Sequence, residues 1–403
     1  MAAALLFLSD LGIGGSERKS VPIANALLRA GHDIHLAYLN APHTLRGRLD
    51  PGLPVCHLDR TGKFSFAALG RLKRYILAQQ ISHVACMNLY PLFYAQALAW
   101  QLGKRAPLVS VLINTTDFST RREERQMILY APLLRRANHL VFGCALQQEQ
   151  WIDRYKLPAA KSRVVYNGVD HAHFNPGAVA QTREQLRRRY GLPLDAFIVI
   201  TVGQLRPEKQ QTDLIRAVAV LASRGLRVHA LLVGDGGERA AIERCIADLG
   251  VRDRVHLAGV ADDVRPFLKL ADAFVLTSTS VETFSNATLE AMAMGLPVVL
   301  SRIGGAAEMV EAGRNGLLYS PGDVTQLAGH IGALAGDEML TRKMGRAAMI
   351  RVQGEFAFAR MLDEYRTLLY LGGSQSTLGV ELEHPIPEDF PLSPGNPYGG
   401  RSS

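Results

Sequence analysis

The regular alternation of short apolar runs with amphipathic stretches is the feature that most constrains the fold of this chain. Such alternation is typical of parallel strands joined by crossover helices. Six strands are predicted before residue 170, at Ala3–Ser9, Asp33–Tyr38, His83–Met87, Leu108–Ile113, His139–Phe142 and Arg163–Tyr166. Six more are predicted afterwards, at Ile198–Val202, Val228–Val233, Val255–Leu257, Ala273–Leu276, Pro297–Ser301 and Gly316–Tyr319. The pattern predicts an α/β protein with two Rossmann-like, doubly wound domains facing a central cleft, where such sheets bind ligands.

The alternation pauses after Tyr166–Asp170, and the stretch to about Pro193 holds prolines, glycines and an arginine-rich helix. We therefore predict a first domain over residues 1–175 and a second over residues 176–354. A helix over residues 355–371 is expected to pack back on the first domain. Residues 372–403 contain five prolines, six glycines and few apolar groups, so a disordered tail is expected there.

Composition limits the class of protein and its partners. The 403 residues are 48% hydrophobic and 20% charged, which is typical of a soluble globular protein. The net charge of +8 suggests an anionic partner such as a phosphorylated ligand or an anionic lipid surface, although an ordinary basic enzyme fits equally well. The four cysteines form no CxxC pair, which favours reduced thiols in the cytoplasm. No uncharged run is long enough for a membrane span, and the first apolar run lacks a basic region before it, so it is interpreted as a strand.

Two carboxylates, Glu282 and Glu290, lie eight residues apart around a predicted helix start. Ser285 and Asn286 are good N-cap residues, and Gly295 would end the helix. The free N–H groups of a helix start can bind a phosphate. An acid on each side of such a phosphate could hold hydroxyl groups of a sugar nucleotide. A pair of glutamates also suggests a retaining glycosidase, which needs its carboxyl groups about 5–5.5 Å apart.

Other motifs fall between a strand and the following helix. Arg206 and Lys209 follow the first strand of the second block, where two cations could balance a diphosphate. A glycine turn at residues 12–17 follows the first strand of the chain, but Glu17 replaces the third glycine of the dinucleotide fingerprint. Gly304 and Gly305 are interpreted as a close strand–helix junction.

Arginines cluster in the predicted helix over residues 120–137 of the first domain, together with apolar side chains. Its arginines are Arg121, Arg122, Arg125, Arg135 and Arg136. This helix could lie on an anionic membrane surface, and the solvated face of a core helix is an equal alternative. The aromatic interleaving suited to single-stranded nucleic acid is absent from the sequence, so no nucleic-acid partner is expected.

Taken together, the motifs resemble the retaining glycosyltransferases of the GT-B fold in family four, also called glycosyl transferases group 1. The resemblance runs in consistent order from Ala3 to about Leu371. It rests on Gly14–Arg18, Tyr166–Asp170 with Phe174, Arg206 and Lys209, Gly234 and Gly236, Gly259, Glu282–Val299, and Gly304, Gly305 and Glu308.

The resemblance implies an enzyme that transfers a hexose, with retention, from a UDP-sugar or GDP-sugar to a polysaccharide or lipid-linked acceptor. It implies no cofactor and no required metal. Arg206 and Lys209 would neutralise the diphosphate, and Glu282 would hold hydroxyls of the donor sugar. The other donor contacts would come from Gly14, Gly15, Phe284, Ser285, Asn286 and Glu290, with Glu290 at the ribose.

One stretch departs from the family pattern. Many members have a histidine in the loop after the strand that matches Leu108–Ile113, but residues 113–117 contain none. Asn114 or Asp117 is therefore expected on the acceptor side. The alternatives are a sugar-nucleotide epimerase of the same fold and a non-enzymatic protein that binds membranes or polyanions. A cytoplasmic protein, peripheral at the inner face of the membrane, is expected.

Overall fold

A computed structural model of the protein describes residues 2–12, 14–114 and 121–371, and of residues 121–123 only the backbone. The expected tail at residues 372–403 and the candidate Asp117 lie outside the described residues. Within the described part, no helix is both long and apolar enough to cross a lipid bilayer.

Two parallel sheets form the centres of two α/β domains, which confirms the predicted fold class. The strands of the first sheet are β1 (Ala3–Leu8), β2 (Ile34–Tyr38), β3 (Val55–His57), β4 (Ile81–Met87), β5 (Leu108–Ile113), β6 (His139–Phe142) and β7 (Ser162–Val164). Those of the second are β8 (Phe197–Val202), β9 (Val228–Val233), β10 (Val255–Gly259), β11 (Ala273–Leu276), β12 (Val298–Ser301) and β13 (Gly316–Tyr319). The strand orders are β3-β2-β1-β4-β5-β6-β7 and β10-β9-β8-β11-β12-β13. Both orders reverse in the doubly wound manner.

Helices cover both faces of each sheet, and most residues of the central strands are buried. The first-domain helices are α1 (Gly15–Arg29), α2 (Phe66–Ala78), α3 (Leu89–Leu102), α4 (Arg121–Arg136) and α5 (Ala145–Tyr155). The later ones are α6 (Arg183–Arg189), α7 (Thr212–Ser223), α8 (Arg239–Asp248), α9 (Arg265–Leu270), α10 (Asn286–Ala293), α11 (Ala306–Met309), α12 (Val324–Gly336), α13 (Glu338–Glu355) and α14 (Phe358–Tyr370).

The prediction of six strands in the first domain was wrong by one, because β3 was missed. This strand has only three residues and pairs at the sheet edge with β2. No α-helix connects it to β2. The alternation of apolar runs with amphipathic helical stretches, which identifies the other strands, is therefore absent here.

The chain crosses between the domains twice, and the two crossings pair with each other. The Val169 N–H donates to the Phe356 carbonyl over 2.9 Å, and the Phe358 N–H donates to the Val169 carbonyl over 3.0 Å. A β-carbon at Gly168 would lie 2.7 Å from the Ala357 carbonyl oxygen, so glycine permits this close approach. The returning chain then forms α14, which packs against α1, β1 and β4 of the first domain.

Candidate active site

The strand orders indicate where a ligand binds. The order reverses between β1 and β4 in the first sheet and between β8 and β11 in the second. Loops diverge at the carboxyl ends of such strands and leave a crevice for a ligand. In the second domain, the crevice lies between the loop after β8, with Arg206 and Lys209, and the loop after β11, with Glu282.

Lys209 and Glu282 meet directly although they come from different loops. The Lys209 ammonium pairs with Oε2 of Glu282, and the Ser278 hydroxyl donates to the same oxygen over 3.0 Å. Both charged side chains are largely buried, with 26% and 14% of their surface exposed. The pair therefore keeps a cation and an anion in place at the cleft without leaving either charge uncompensated.

Backbone contacts join the two loops that carry this pair. The Thr279 N–H donates to the Glu208 carbonyl over 2.9 Å, and the Thr277 hydroxyl donates to the Lys209 carbonyl over 2.7 Å. Arg206 differs from Lys209, because its side chain is 56% exposed and lies 3.7 Å from the Glu208 carboxylate. An exposed guanidinium beside a fixed ammonium can bind a polyanion.

Helix α10 begins beside the pair. Ser285 is its N-cap, and the Ser285 hydroxyl accepts a hydrogen bond from the Thr288 N–H over 3.2 Å. Asn286 is the first helical residue. Phe284 is buried, and its ring packs on Tyr166 and Phe356 at centroid distances of 5.0 and 5.2 Å. The Phe284 side chain therefore anchors the helix start to the core, and only its backbone can contact a ligand.

The loop before α10 is closely packed and strained. Val281 has φ +57°, an unfavourable conformation for a β-branched residue. Gly304 has φ +50°, and a β-carbon there would lie 1.9 Å from the Glu282 carbonyl oxygen. The Gly305 N–H donates to the Thr283 carbonyl over 2.7 Å. The two glycines therefore support the loop that carries Glu282.

Glu290 lies one turn inside α10. Burial raises the pKa of its carboxyl to about 7, and the positive charge of Arg18 on α1 opposes this rise. An acid whose ionised form lacks a close partner destabilises the fold at neutral pH. Such groups are common at functional sites.

Gly14 and Gly15 open α1 on the opposite wall of the cleft. Gly14 is the N-cap, and a β-carbon there would lie 2.1 Å from the Glu17 carboxylate, so that side chain folds over the turn. Burial raises the pKa of Glu17. Among the described residues, apart from the chain neighbours of Gly15 and the backbone of α1, no atom lies within 4 Å of a β-carbon position at Gly15, so these residues leave space for a ligand there.

Asn114 lies at the end of β5 and contacts both domains. Its amide nitrogen donates to the Ser16 hydroxyl over 3.0 Å, and its backbone carbonyl accepts from the Thr283 hydroxyl over 3.1 Å. Its amide oxygen accepts from the Lys19 ammonium over 3.3 Å. Asn114 therefore joins the first-domain wall to the loop of Glu282.

Glu308 connects the domains at a second point. Its carboxylate accepts hydrogen bonds from the Ala145 and Leu146 N–H groups, at 2.8 and 3.0 Å, and from the Tyr166 hydroxyl at 2.8 Å. Because the two amides begin α5, the carboxylate of one domain caps a helix of the other.

Sequence reasoning missed Lys19 and Asn167. The Lys19 ammonium bonds to the Asn167 amide oxygen over 3.2 Å, and the Asn167 amide nitrogen donates to the Phe284 carbonyl over 2.8 Å. Asn167 lies inside the Tyr166–Asp170 motif, and Lys19 directly follows the Gly14–Arg18 motif. A lysine in the second turn of a helix that opens at a glycine loop was the available signal.

Family models match both domains. Residues 182–351 match "Glycosyl transferases group 1", and residues 13–173 match "Glycosyltransferase Family 4". The protein thus belongs to the family four glycosyltransferases.

Relatives agree with this assignment. The chain is 32% identical over 213 residues to the N-acetyl-alpha-D-glucosaminyl L-malate synthase of Bacillus anthracis, covering 53% of this chain and 54% of that protein. It is 36% identical over 183 residues to the lipopolysaccharide core biosynthesis glycosyltransferase LpsE of Rhizobium meliloti, covering 45% and 52%. The chain thus spans about half the length of the relatives it matches.

Solved structures show the same fold. Anabaena Alr3699/HepE in complex with UDP superposes with a TM-score of 0.81 at 22% identity, covering 91% of this chain and 99% of that one. A glycosyltransferase from Rickettsia africae gives 0.80 at 18% identity, covering 93% and 100%. The two domains therefore form a GT-B fold.

Proposed function

We propose that this protein is a retaining glycosyltransferase that moves a hexose from a UDP-sugar or GDP-sugar to a polysaccharide or lipid-linked acceptor in glycan biosynthesis. The observation that carries the proposal is the convergence of Arg206, Lys209 and Glu282 in front of the start of α10. A diphosphate needs cations and N–H donors, and a sugar needs a carboxylate for its hydroxyls. These groups lie together at the place where a doubly wound sheet binds ligands.

Each residue has a proposed role toward the donor. Arg206 and Lys209 neutralise the diphosphate, and the N–H groups at Ser285 and Asn286 bind its oxygens. Glu282 accepts hydrogen bonds from hydroxyl groups of the transferred sugar. Glu290 accepts hydrogen bonds from hydroxyl groups of the ribose, which gives its carboxyl a partner.

The remaining donor contacts come from the first domain and the backbone. Gly14 and Gly15 bring N–H groups to the diphosphate from the opposite wall. Phe284 contributes through its backbone. Asn114 lies on the acceptor side, and the roles proposed for Asn114 and Asp117 there remain those expected from the sequence.

Catalysis follows from stabilisation of the leaving group. As the bond between sugar and diphosphate breaks, negative charge grows on the phosphate oxygens. Arg206, Lys209 and the N–H groups of α10 are already oriented toward this charge, so they stabilise the transition state more than the bound substrate. The exposed guanidinium of Arg206, the fixed ammonium of Lys209 and the N–H groups of α10 supply the charge balance, so we propose transfer without a required metal. The acceptor hydroxyl attacks from the face that the diphosphate leaves and gives its proton to the departing phosphate oxygen, so the configuration is retained.

Two comparisons support the choice of donor and acceptor class. The Anabaena neighbour was also solved in complex with UDP-glucose. The Rhizobium relative is described as a lipopolysaccharide core enzyme. These properties are those of the two other proteins. They support our proposal of a nucleotide-sugar donor and a glycan acceptor for this protein.

We also propose a cytoplasmic protein that is peripheral at the inner membrane face. All four cysteines are free thiols in the structure, as is usual for cytoplasmic proteins. One face of α4 exposes Arg125, Ile128, Leu129 and Arg136, and Trp100 on the neighbouring α3 is 87% exposed. Basic and apolar side chains on one helix face suit an anionic bilayer.

The test is donor turnover, after a thermal-shift screen has identified the nucleotide sugar that stabilises the protein. Arg206→Ala, Lys209→Ala and Glu282→Ala should each lower kcat/KM, by about 10²–10³ for a lost transition-state contact. Arg224→Ala and Lys343→Ala remove exposed cations of the same domain and serve as matched controls. Unchanged turnover in all three site variants would refute the assignment.

The membrane proposal has its own measurement. The protein should sediment with anionic liposomes at low salt and be released as salt rises. Replacing Arg125 and Arg136 by serine should weaken this binding, whereas binding to neutral liposomes stays weak throughout. Equal binding of the variant and the wild type contradicts the proposal.

A further inference from the structure

Lys19 is a lysine of the cleft wall with an unusual set of partners. It lies on the second turn of α1, and its ammonium donates to the amide oxygens of Asn114, at 3.3 Å, and Asn167, at 3.2 Å. The Tyr365 ring lies beside it, with its centroid 5.7 Å from the ammonium nitrogen. An ammonium has three N–H donors, so one remains for a further acceptor.

None of these partners neutralises its charge. Among the residues that the structure describes, no carboxylate lies within ion-pair distance of Lys19. Burial lowers the pKa of Lys19 to about 8. Two other cations with little exposed surface are each paired with a carboxylate, Lys209 with Glu282 and Arg187 with Asp272. A buried charge without a counter-charge is unfavourable unless a ligand supplies one.

The location of Lys19 indicates that its ligand binds in the cleft between the domains. Its partner Asn114 follows β5 at the carboxyl edge of the first sheet, and Asn114 also bonds to Thr283 of the opposite loop. Its other partner, Asn167, bonds to the Phe284 carbonyl immediately before α10. A single side chain, Asn167, therefore bridges the ammonium to the loop that carries Glu282. The ammonium lies on the opposite wall of the same cleft.

From this arrangement we infer that Lys19 is an anion-recognition residue of the first domain, whose ammonium binds a phosphate or carboxylate oxygen of a ligand in the cleft. The anion is either the diphosphate of the donor or an anionic group of the acceptor. The inference rests on the proposed function and adds a cation that faces Arg206 and Lys209 from the other domain. The amide oxygens of Asn114 and Asn167 orient the ammonium but are uncharged, so the anion of the ligand neutralises it.

The experiment compares Lys19→Met and Lys19→Gln with the wild type by calorimetry. UDP and GDP are titrated first, then uridine and guanosine, which lack phosphate. Inorganic phosphate is then titrated into the free protein, and also into protein saturated with the nucleotide that binds. Lys343→Met, at an exposed position on α13, is the matched control. Thermal unfolding of each variant shows whether it is folded.

Two results support the inference and separate the source of the anion. If the donor supplies it, both variants bind the nucleotide diphosphate about tenfold or more weakly and the nucleoside as the wild type does. If the acceptor supplies it, diphosphate binding is unchanged, but phosphate no longer binds to the nucleotide complex. A purely structural Lys19 would alter stability without a difference between diphosphate and nucleoside.

Folded variants that bind both anions as the wild type does would overturn the inference. So would a wild type that binds neither a nucleotide diphosphate nor inorganic phosphate. Failure of the proposed function looks different: the wild type then binds no nucleotide, yet inorganic phosphate still binds and is lost in Lys19→Met.

Discussion

Replacing Gly304 by alanine should displace the loop that holds Glu282. The new β-carbon would lie 1.9 Å from the Glu282 carbonyl oxygen and 3.0 Å from that of Thr283. Carbon–oxygen contacts become comfortable only near 3.3 Å, so the loop has to move by more than about 1 Å. Because both clashing groups belong to the backbone, no side-chain rotation can relieve them.

The expected loss of stability has two parts. Gly304 has φ +50°, and alanine in this left-handed region costs about 1 kcal/mol. The close approach adds about 1–3 kcal/mol of overpacking. Together they amount to about 2–4 kcal/mol, or a fall in Tm of several degrees. A shift of this size beneath Glu282 should also lower donor turnover by about 10²-fold.

Gly313 supplies the matched control. It also has a left-handed backbone, with φ +80°, but within the described part of the chain no atom beyond its two chain neighbours lies within 4 Å of a β-carbon there. Gly313→Ala should therefore lower stability by about 1 kcal/mol and leave turnover unchanged. Thermal unfolding and donor turnover of both variants give the comparison. If Gly304→Ala matches Gly313→Ala in both measurements, the close packing against Glu282 has no consequence and the reasoning is refuted.

Two more predictions concern single groups of the site. The pKa of Glu290 is about 7 in the fold and about 4.3 when unfolded, so the unfolded state loses its proton first and stability falls as pH rises between these values. Glu290→Gln should therefore be about 3 kcal/mol more stable than wild type at pH 8 and equal to it near pH 4; a difference independent of pH contradicts this. The hydrogen bond between Tyr166 and Glu308 can be tested by a double-mutant cycle of Glu308→Gln and Tyr166→Phe in denaturant unfolding. The coupling energy should be about 1–2 kcal/mol, and additive losses of stability would contradict a direct interaction.

The fold class was predictable because it depends on local periodicity. Apolar runs long enough to cross a sheet, separated by amphipathic stretches, specify strands and helices in order, and parallel connections then restrict the topology. The edge strand β3 was missed because it has only three residues and no α-helix separates it from β2, so no change of period marks it. The start of α10 was predictable for a similar reason, since a serine such as Ser285 satisfies a free N–H group of a helix start.

Part of the site followed from the same logic. Arg206, Lys209 and Glu282 each follow a strand, and parallel strands bring their carboxyl ends to one edge. The sequence could not show which of these groups would pair. In the structure Lys209 pairs with Glu282, 73 residues away, while the Arg206 side chain remains 56% exposed.

The sequence alone determined the two parallel sheets, their order along the chain and the edge where charged residues collect, because neighbouring residues carry that information. Only the tertiary structure decided the contacts across the cleft. The bond between Lys19 and Asn167 spans 148 residues, and Glu308 caps a helix 163 residues earlier. Such contacts depend on how two independently formed sheets face each other. That orientation results from packing over the whole interface, which no local pattern records.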